Sequence, residues 1–346
     1  MTDWTQLAFR YCQFGLVYHV THIGQNASAI KHAVVQLSSR RRICQMVNAL
    51  RRCMVNNENV RTIRVGHSPD PDDAFMFHAL TSGAFDTPGY RFEHILLDIE
   101  TLNQKALEGE YEVSAVSIHA YPEISDQYAL MNCGASMGEG YGPMLVSKKN
   151  LSLEQACSRK IAVPGLKTSA YLALLLACGD VDIEVVPFDQ IIPRIDSGEF
   201  DSGVIIHEGQ LTWKKHGLNL ILDLGVWWNE KNDGLPLPLG GNVIRRDLGE
   251  DVCEIISKWV RMSIEHSIHQ PDAALKFALQ WGRGIDEETN EAFVKMYVNQ
   301  RTIDYGPDGR ASIRKFLKDG QDIGMIDGDF DPDCLDFIGA PANANE

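Results

Sequence analysis

The segment GVIIHEGQLTW (203–213) ends an apolar run on His207, Glu208 and Gly209. An unperturbed imidazole changes charge near neutral pH, so a histidine there suits a general base. A structural histidine with satisfied hydrogen bonds is the plainer alternative. Glu208 and Thr212 are candidate orienting partners. SIHAY (117–121) puts Ser117 and His119 at the end of another apolar run. In α/β folds ligand contacts gather at the carboxyl ends of strands; an ordinary turn is the alternative. No GxSxG elbow surrounds Ser117, which argues against a hydrolase triad. VPGLKTSAYLALLL (163–176) sets Gly165, Lys167, Thr168 and Ser169 before an apolar helical run. Free N–H groups at a helix start attract anions, and a ligand carboxylate fits this place. The glycines match neither a Walker nor a dinucleotide pattern.

Two further segments carry polar chemistry. HSPDPDDAF (67–75) joins a strand pattern to a helix pattern. Ser68, Asp70, Asp72 and Asp73 can cap the helix start, with Pro71 fixing φ in the turn. The alternative is that Ser68 or spare N–H groups face a ligand. The aspartates fall short of a calcium-loop pattern, so no metal is expected. WWNEKNDGLPLPLG (227–240) is read first as core packing and second as the lining of a site for a flat aromatic ligand.

These residues must be positioned by an α/β scaffold. TIRVGHS, RFEHILLDI and YEVSAVSIHAYP are predicted strands, alternating with helices over AFMFHALTSG and TLNQKALEGE. That order favours a mainly parallel sheet. GEGYGPMLVSKK (138–149) looks like a strand leaving one lobe, and GLPLPLGGNVIRR (234–246) like one crossing back. Strands are expected again at 182–188 and 202–208, with a helix over about 189–198. From 249 to about 326 apolar positions recur at helical spacing. The expected organisation is a larger α/β lobe from 61–148 plus 238–330, a smaller lobe from 149–237 and a tail from 331–346. Two lobes joined by two crossings enclose a cleft, where ligands tend to bind.

Composition narrows the function. The chain has 346 residues, 44% hydrophobic, and a net charge of −15. Residues 1–60 hold seven Lys/Arg and two Asp/Glu, leaving 25 basic and 45 acidic residues in the remainder. So acidic a surface argues against nucleic acid and anionic membranes as partners. No run of about 18 apolar residues occurs, so no membrane span is expected. The eight cysteines form no CxxC pair and no zinc spacing with histidine, and are expected to be reduced thiols in the cytoplasm. Residues 1–60 are expected to be a poorly ordered extension or an over-extended start. They show no secretory pattern, which a secreted solute receptor would need.

Together the segments SPDPDDAFMFHAL (68–80), VSIHAY (116–121), GYGPMLV (140–146), PGLKTSAYLALLL (164–176), GVIIHEGQLTW (203–213) and LLDLG…WW…GLPLPLG (about 221–240) resemble the 1,4-dihydroxy-6-naphthoate synthase family of menaquinone biosynthesis. The resemblance runs from about Arg61 to the early 320s. It implies a two-lobed periplasmic-binding-protein-like fold of type II in a cytosolic lyase. The implied reaction cleaves cyclic dehypoxanthine futalosine to 1,4-dihydroxy-6-naphthoate and dihydroxyacetone, without cofactor or metal. It also implies His207 as proton acceptor, with Ser117, Ile118, His119, Ser169 and Ala170 as substrate contacts; Thr168 and Ser68 join them as candidates. This chain has SPDPDD where family members commonly have SPCPND. The expected partner is a small carboxylate substrate, and a homodimer is compatible with the sequence. Two alternatives remain: a non-catalytic binding protein for small anions, and chorismate dehydratase.

Overall fold

The computed structural model describes residues 60–281 and 286–339. The expectations for residues 1–59 and for the APANANE end lie outside the described residues. The larger sheet is built first: β1 (Arg61–His67), β2 (Tyr90–Leu96), β3 (Val113–Ser117), β4 (Tyr128–Met131) and β5 (Ser136–Gly138). Helix α1 (Pro71–Thr81) follows β1, and α2 (Ile99–Leu107) follows β2. Pro71 occupies the first turn of α1, where its missing N–H is no loss. Asp98 caps α2 by accepting from Thr101 N at 3.1 Å.

The chain then enters the smaller sheet with β6 (Met144–Ser147), β7 (Ile161–Val163), β8 (Ile183–Val185), β9 (Ser202–Ile205) and β10 (Asn219–Asp223). Helix α3 (Ser169–Cys178) lies between β7 and β8, and α4 (Phe188–Asp196) between β8 and β9. After α5 (Leu224–Lys231) the chain returns through β11 (Leu237–Arg245), the long central strand of the larger sheet. Helices α6 (Glu250–His269), α7 (Pro271–Ala278), α8 (Glu287–Tyr297) and α9 (Gly306–Asp322) follow, then β12 (Phe337–Ile338).

The larger sheet has the order β12-β4-β11-β3-β1-β2, with β5 also on β11; the smaller has β10-β6-β9-β7-β8. The expectation of a mainly parallel sheet needs correction. β1 and β3 are parallel, but β11 runs antiparallel to β3, β4 and β5, and β6 antiparallel to β9 and β10. β1, β3 and β9 run towards the cleft, whereas β11 and β6 enter their lobes from it and so run in the reverse sense. The lobe boundary also moves: β6 pairs with β9 and β10, so the first crossing ends before Met144 rather than after residue 148. The expected tail contains a strand, since Phe337 and Ile338 pair with Leu130 and Met131 and Phe337 is buried. Two apolar residues among aspartates gave too short a run to read as an element.

The first crossing meets the start of α5 where glycine is required. A Cβ on Gly225 would stand 1.9 Å from the carbonyl oxygen of Tyr141, and one on Gly142 would stand 2.9 Å from Gly225 N. Leu224 N donates to Pro143 O at 2.9 Å beside this contact. Both tryptophans of the WW pair pack away from the cleft. Trp228 is fully buried and its Nε1 donates to Ser312 Oγ of α9 at 3.1 Å. Nine of the eleven residues of α1 are buried, because α6, α7 and α8 cover the faces that the sheet leaves open. α1 therefore starts at a fixed place beside the cleft.

Candidate active site

A partly open cavity of about 110 Å³ lies between the lobes, far more than the roughly 10–15 Å³ that one water needs. Of the residues picked out from the sequence, Ser68, Ser117, Thr168, Ser169, Ala170 and His207 line it. Ile118 and His119 do not. After β3 the backbone tightens into a 3-10 turn over Ile118–Ala120. Ile118 turns into the core, fully buried. His119 packs behind the start of α3: its N–H donates to Ser169 Oγ at 3.2 Å and its Nδ1 lies 3.2 Å from Thr168 O. Burial lowers the pKa of its ring to about 4, so the ring is neutral at physiological pH. His119 thus acts on the cavity through α3.

The start of α3 is the anion-attracting end. Thr168 caps it, its side chain accepting from Tyr171 N at 3.2 Å. Ser169 and Ala170, the first two helical residues, have no intrahelical acceptor for their N–H groups and both line the cavity. Ser169 Oγ donates to Leu239 O at 2.6 Å, which ties the helix start to β11. The charge of Lys167 is not part of this end. Its Nζ pairs with Glu123, and its backbone N–H donates to Glu100 Oε2 at 3.2 Å.

His207 sits just past the end of β9, with φ +54, one of only two non-glycine residues at positive φ among the described residues. For an L-residue this conformation is sparsely populated, though His, Asn and Asp adopt it more readily than others, and it costs on the order of 1–3 kcal/mol. Several contacts hold it. The Nδ1 atom lies 3.1 Å from Asp70 Oδ2, across the cleft in the other lobe. The Phe188 ring meets the imidazole at a centroid distance of 4.8 Å and an angle of 71°. The Gln210 carboxamide braces the backbone: its nitrogen donates to Gly142 O at 2.6 Å, and its oxygen accepts from His207 N at 3.2 Å. The same amide meets the Tyr297 hydroxyl at 2.7 Å. The other ring nitrogen, Nε2, is buried and has no hydrogen-bond partner in the protein.

The aspartates of HSPDPDD do more than cap. Asp70 holds the N-cap position of α1, yet its side chain makes no cap. Its Oδ2 accepts from Ser68 Oγ at 2.5 Å as well as facing His207. Asp73 Oδ2 accepts from Ser68 N at 2.7 Å. Asp72 and Asp73 both line the cavity. Burial first, then the charges of its two neighbours, raises the Asp72 carboxyl well above the usual range. Burial also raises Asp73, to about 7, with Asp70 adding to the rise and the Ser68 N–H opposing it. Among the described residues no group of three or more His, Cys, Asp or Glu is arranged to hold a metal ion.

A pH dependence follows. Asp73 in the folded chain keeps a proton that the unfolded chain gives up near pH 4. The contribution of Asp73 to stability therefore falls as pH rises from about 4 to about 7, and is level on either side. Urea midpoints at pH 5 and pH 7.5 should drop more for the wild type than for Asp73→Asn. Equal drops in the two proteins would contradict the assignment.

Asp72 and Asp73 read in the sequence as helix caps and not as lining residues, and Gln210, Asn242, Phe293 and Tyr297 were not picked out at all. Gln210 had a local signal, standing three residues after His207. Asn242 had one too, a lone amide within an otherwise apolar strand. Phe293 and Tyr297 had none, because α8 reaches the cavity only through tertiary packing.

The family profile described as menaquinone biosynthesis matches residues 63–322. A protein of Thermus thermophilus named 1,4-dihydroxy-6-naphthoate synthase is 36% identical over 267 residues, which are 77% of this chain and 96% of that protein. A crystal structure of a protein from Archaeoglobus fulgidus is 45% identical with a TM-score of 0.73, covering 77% of this chain and 98% of that one. The alkanesulfonate-binding protein SsuA of Xanthomonas axonopodis, bound to MOPS, superposes with a TM-score of 0.60 at 11% identity, covering 77% of this chain and 94% of that one. That last likeness establishes the periplasmic-binding-protein-like fold.

Proposed function

Since the chain belongs to the 1,4-dihydroxy-6-naphthoate synthase family of menaquinone biosynthesis, we propose that it cleaves cyclic dehypoxanthine futalosine to 1,4-dihydroxy-6-naphthoate and dihydroxyacetone, with His207 as general base. One observation carries this reading. His207 presents Nε2, without a partner in the protein, at the wall of the interlobe cavity, while Nδ1 rests on Asp70. A proton on Nδ1 held by Asp70 leaves the Nε2 lone pair to accept one from the substrate.

The step balances as an acid–base cleavage. Nε2 takes a proton from the bound substrate, the carbon–carbon bond breaks, and its electron pair leaves with the three-carbon fragment, which is then protonated. Aromatisation of the remaining ring supplies driving force. Buried Asp72 and Asp73, both biased towards the protonated form, stand on the cavity wall as proton donors for the departing fragment. The substrate carboxylate is held at the N–H groups of Ser169 and Ala170 and the Thr168 turn. Ser68 keeps Asp70 in place under the imidazole. Closure of the lobes excludes water and strengthens each of these polar contacts. Among the described residues, Cys133, Cys157, Cys178 and Cys334 stand as thiols rather than disulfides, which supports work in a reducing compartment, the cytoplasm.

Purified protein incubated with cyclic dehypoxanthine futalosine should release the naphthoate, followed by chromatography. A protein that binds the compound and returns it unchanged would instead be a carrier.

A further inference from the structure

Asn242 is 1% exposed and lines the cavity from β11. It pairs with Ala115 of β3, two residues from Gly240, so the two share the sheet face that bounds the cavity. Neither its Oδ1 nor its Nδ2 has a hydrogen-bond partner in the protein. A leucine of similar size would fill the place without two unmatched polar atoms. The backbone opposite nevertheless makes room for the amide. Gly134 takes φ +81, and a Cβ there would stand 1.9 Å from Nδ2. The Gly134 N–H is anchored on Thr302 O at 2.7 Å, which keeps that approach fixed.

We propose that Asn242 is a specificity-determining residue that reads a neutral hydroxyl–carbonyl pair or vicinal diol on the substrate, in the three-carbon part that is released. The inference rests on the proposed reaction. A carboxamide offers an acceptor and a donor side by side in one plane, which complements adjacent hydroxyl and carbonyl groups. It carries no charge, so it is a poor match for the carboxylate. That end is already provided for at α3. Ser169 Oγ is bonded to Leu239 O, and Asn242 lies three residues further along the same strand. At the rise of a β-strand this separation is about 10 Å. A bicyclic acid with a short polar appendage spans such a distance, with its carboxylate at α3 and the appendage at Asn242.

The test compares the wild type with Asn242→Leu, which keeps the size and removes both polar atoms, and with Asn242→Ala. In Asn242→Leu, kcat/KM for cyclic dehypoxanthine futalosine should fall about 30-fold, as expected for leaving a substrate polar pair unmatched in a dry site. The Kd for 1,4-dihydroxy-6-naphthoate, which lacks the three-carbon part, should stay within about 3-fold, and the melting temperature should not fall. A parallel loss of naphthoate affinity in both variants would overturn the proposal, because Asn242 would then hold the ring or shape the cavity. Unchanged kcat/KM would also overturn it, showing a purely structural amide. A wild type without turnover would fail the reaction itself, and is told apart by the wild-type assay alone.

Discussion

The His207→Ala enzyme is expected to bind cyclic dehypoxanthine futalosine nearly as well as the wild type and to turn it over about 10³-fold more slowly, the usual scale for a lost general base. The backbone at this residue is left-handed, with φ +54. Alanine tolerates positive φ less well than histidine, and loses the ring contacts with Asp70 and Phe188 that hold it. His207→Asn is the control, because asparagine tolerates the left-handed region. Both variants should be comparably inactive, with His207→Asn the more stable in a melting experiment. Turnover within about tenfold of wild type in His207→Asn would show that the imidazole is not the base.

The second large effect is expected at Asp70. Asp70→Asn should lower kcat about 10²-fold with little change in KM, because an amide can no longer select the Nδ1–H form of the ring. Asp70 is a positioning residue, so rates alone are not enough to identify its role. Its charge contributes to the raised pKa of Asp73. In Asp70→Asn the fall in stability between about pH 4 and about pH 7 should therefore become shallower, as Asp73 returns towards the ordinary carboxyl range. A variant that loses turnover through higher KM, with an unchanged pH–stability slope, would mean that Asp70 shapes the cavity rather than orienting His207.

Much of the scaffold was legible because strand and helix periodicities are local properties. TIRVGHS, KIAVPGLKTSAYLALLLAC and the run ending at His207 each fold as expected, and each brings a polar residue to the cleft at a strand or helix end. Strand direction was less legible. The β-α-β-α-β order describes β1 to β3, while β11 enters from a distant part of the chain in the reverse sense. At the site, Ser68, Thr168, Ser169 and His207 could be found because a turn or helix start marks them. His119 could not be told from a lining residue, since its inward rotation depends on the 3-10 turn after β3. The partnership of Asp70 with His207 spans 137 positions and both lobes, so no spacing announces it. The left-handed backbone at His207 was equally hidden: the glycine that usually marks such a turn is two residues later.

The most direct measurement is a crystal structure of the His207→Ala protein holding intact cyclic dehypoxanthine futalosine. The substrate should lie with its carboxylate on the N–H groups of Ser169 and Ala170, and with the proton to be lost facing the space vacated by Nε2. A substrate seated outside the interlobe cavity, or one that turns only apolar edges towards residue 207, would contradict the account.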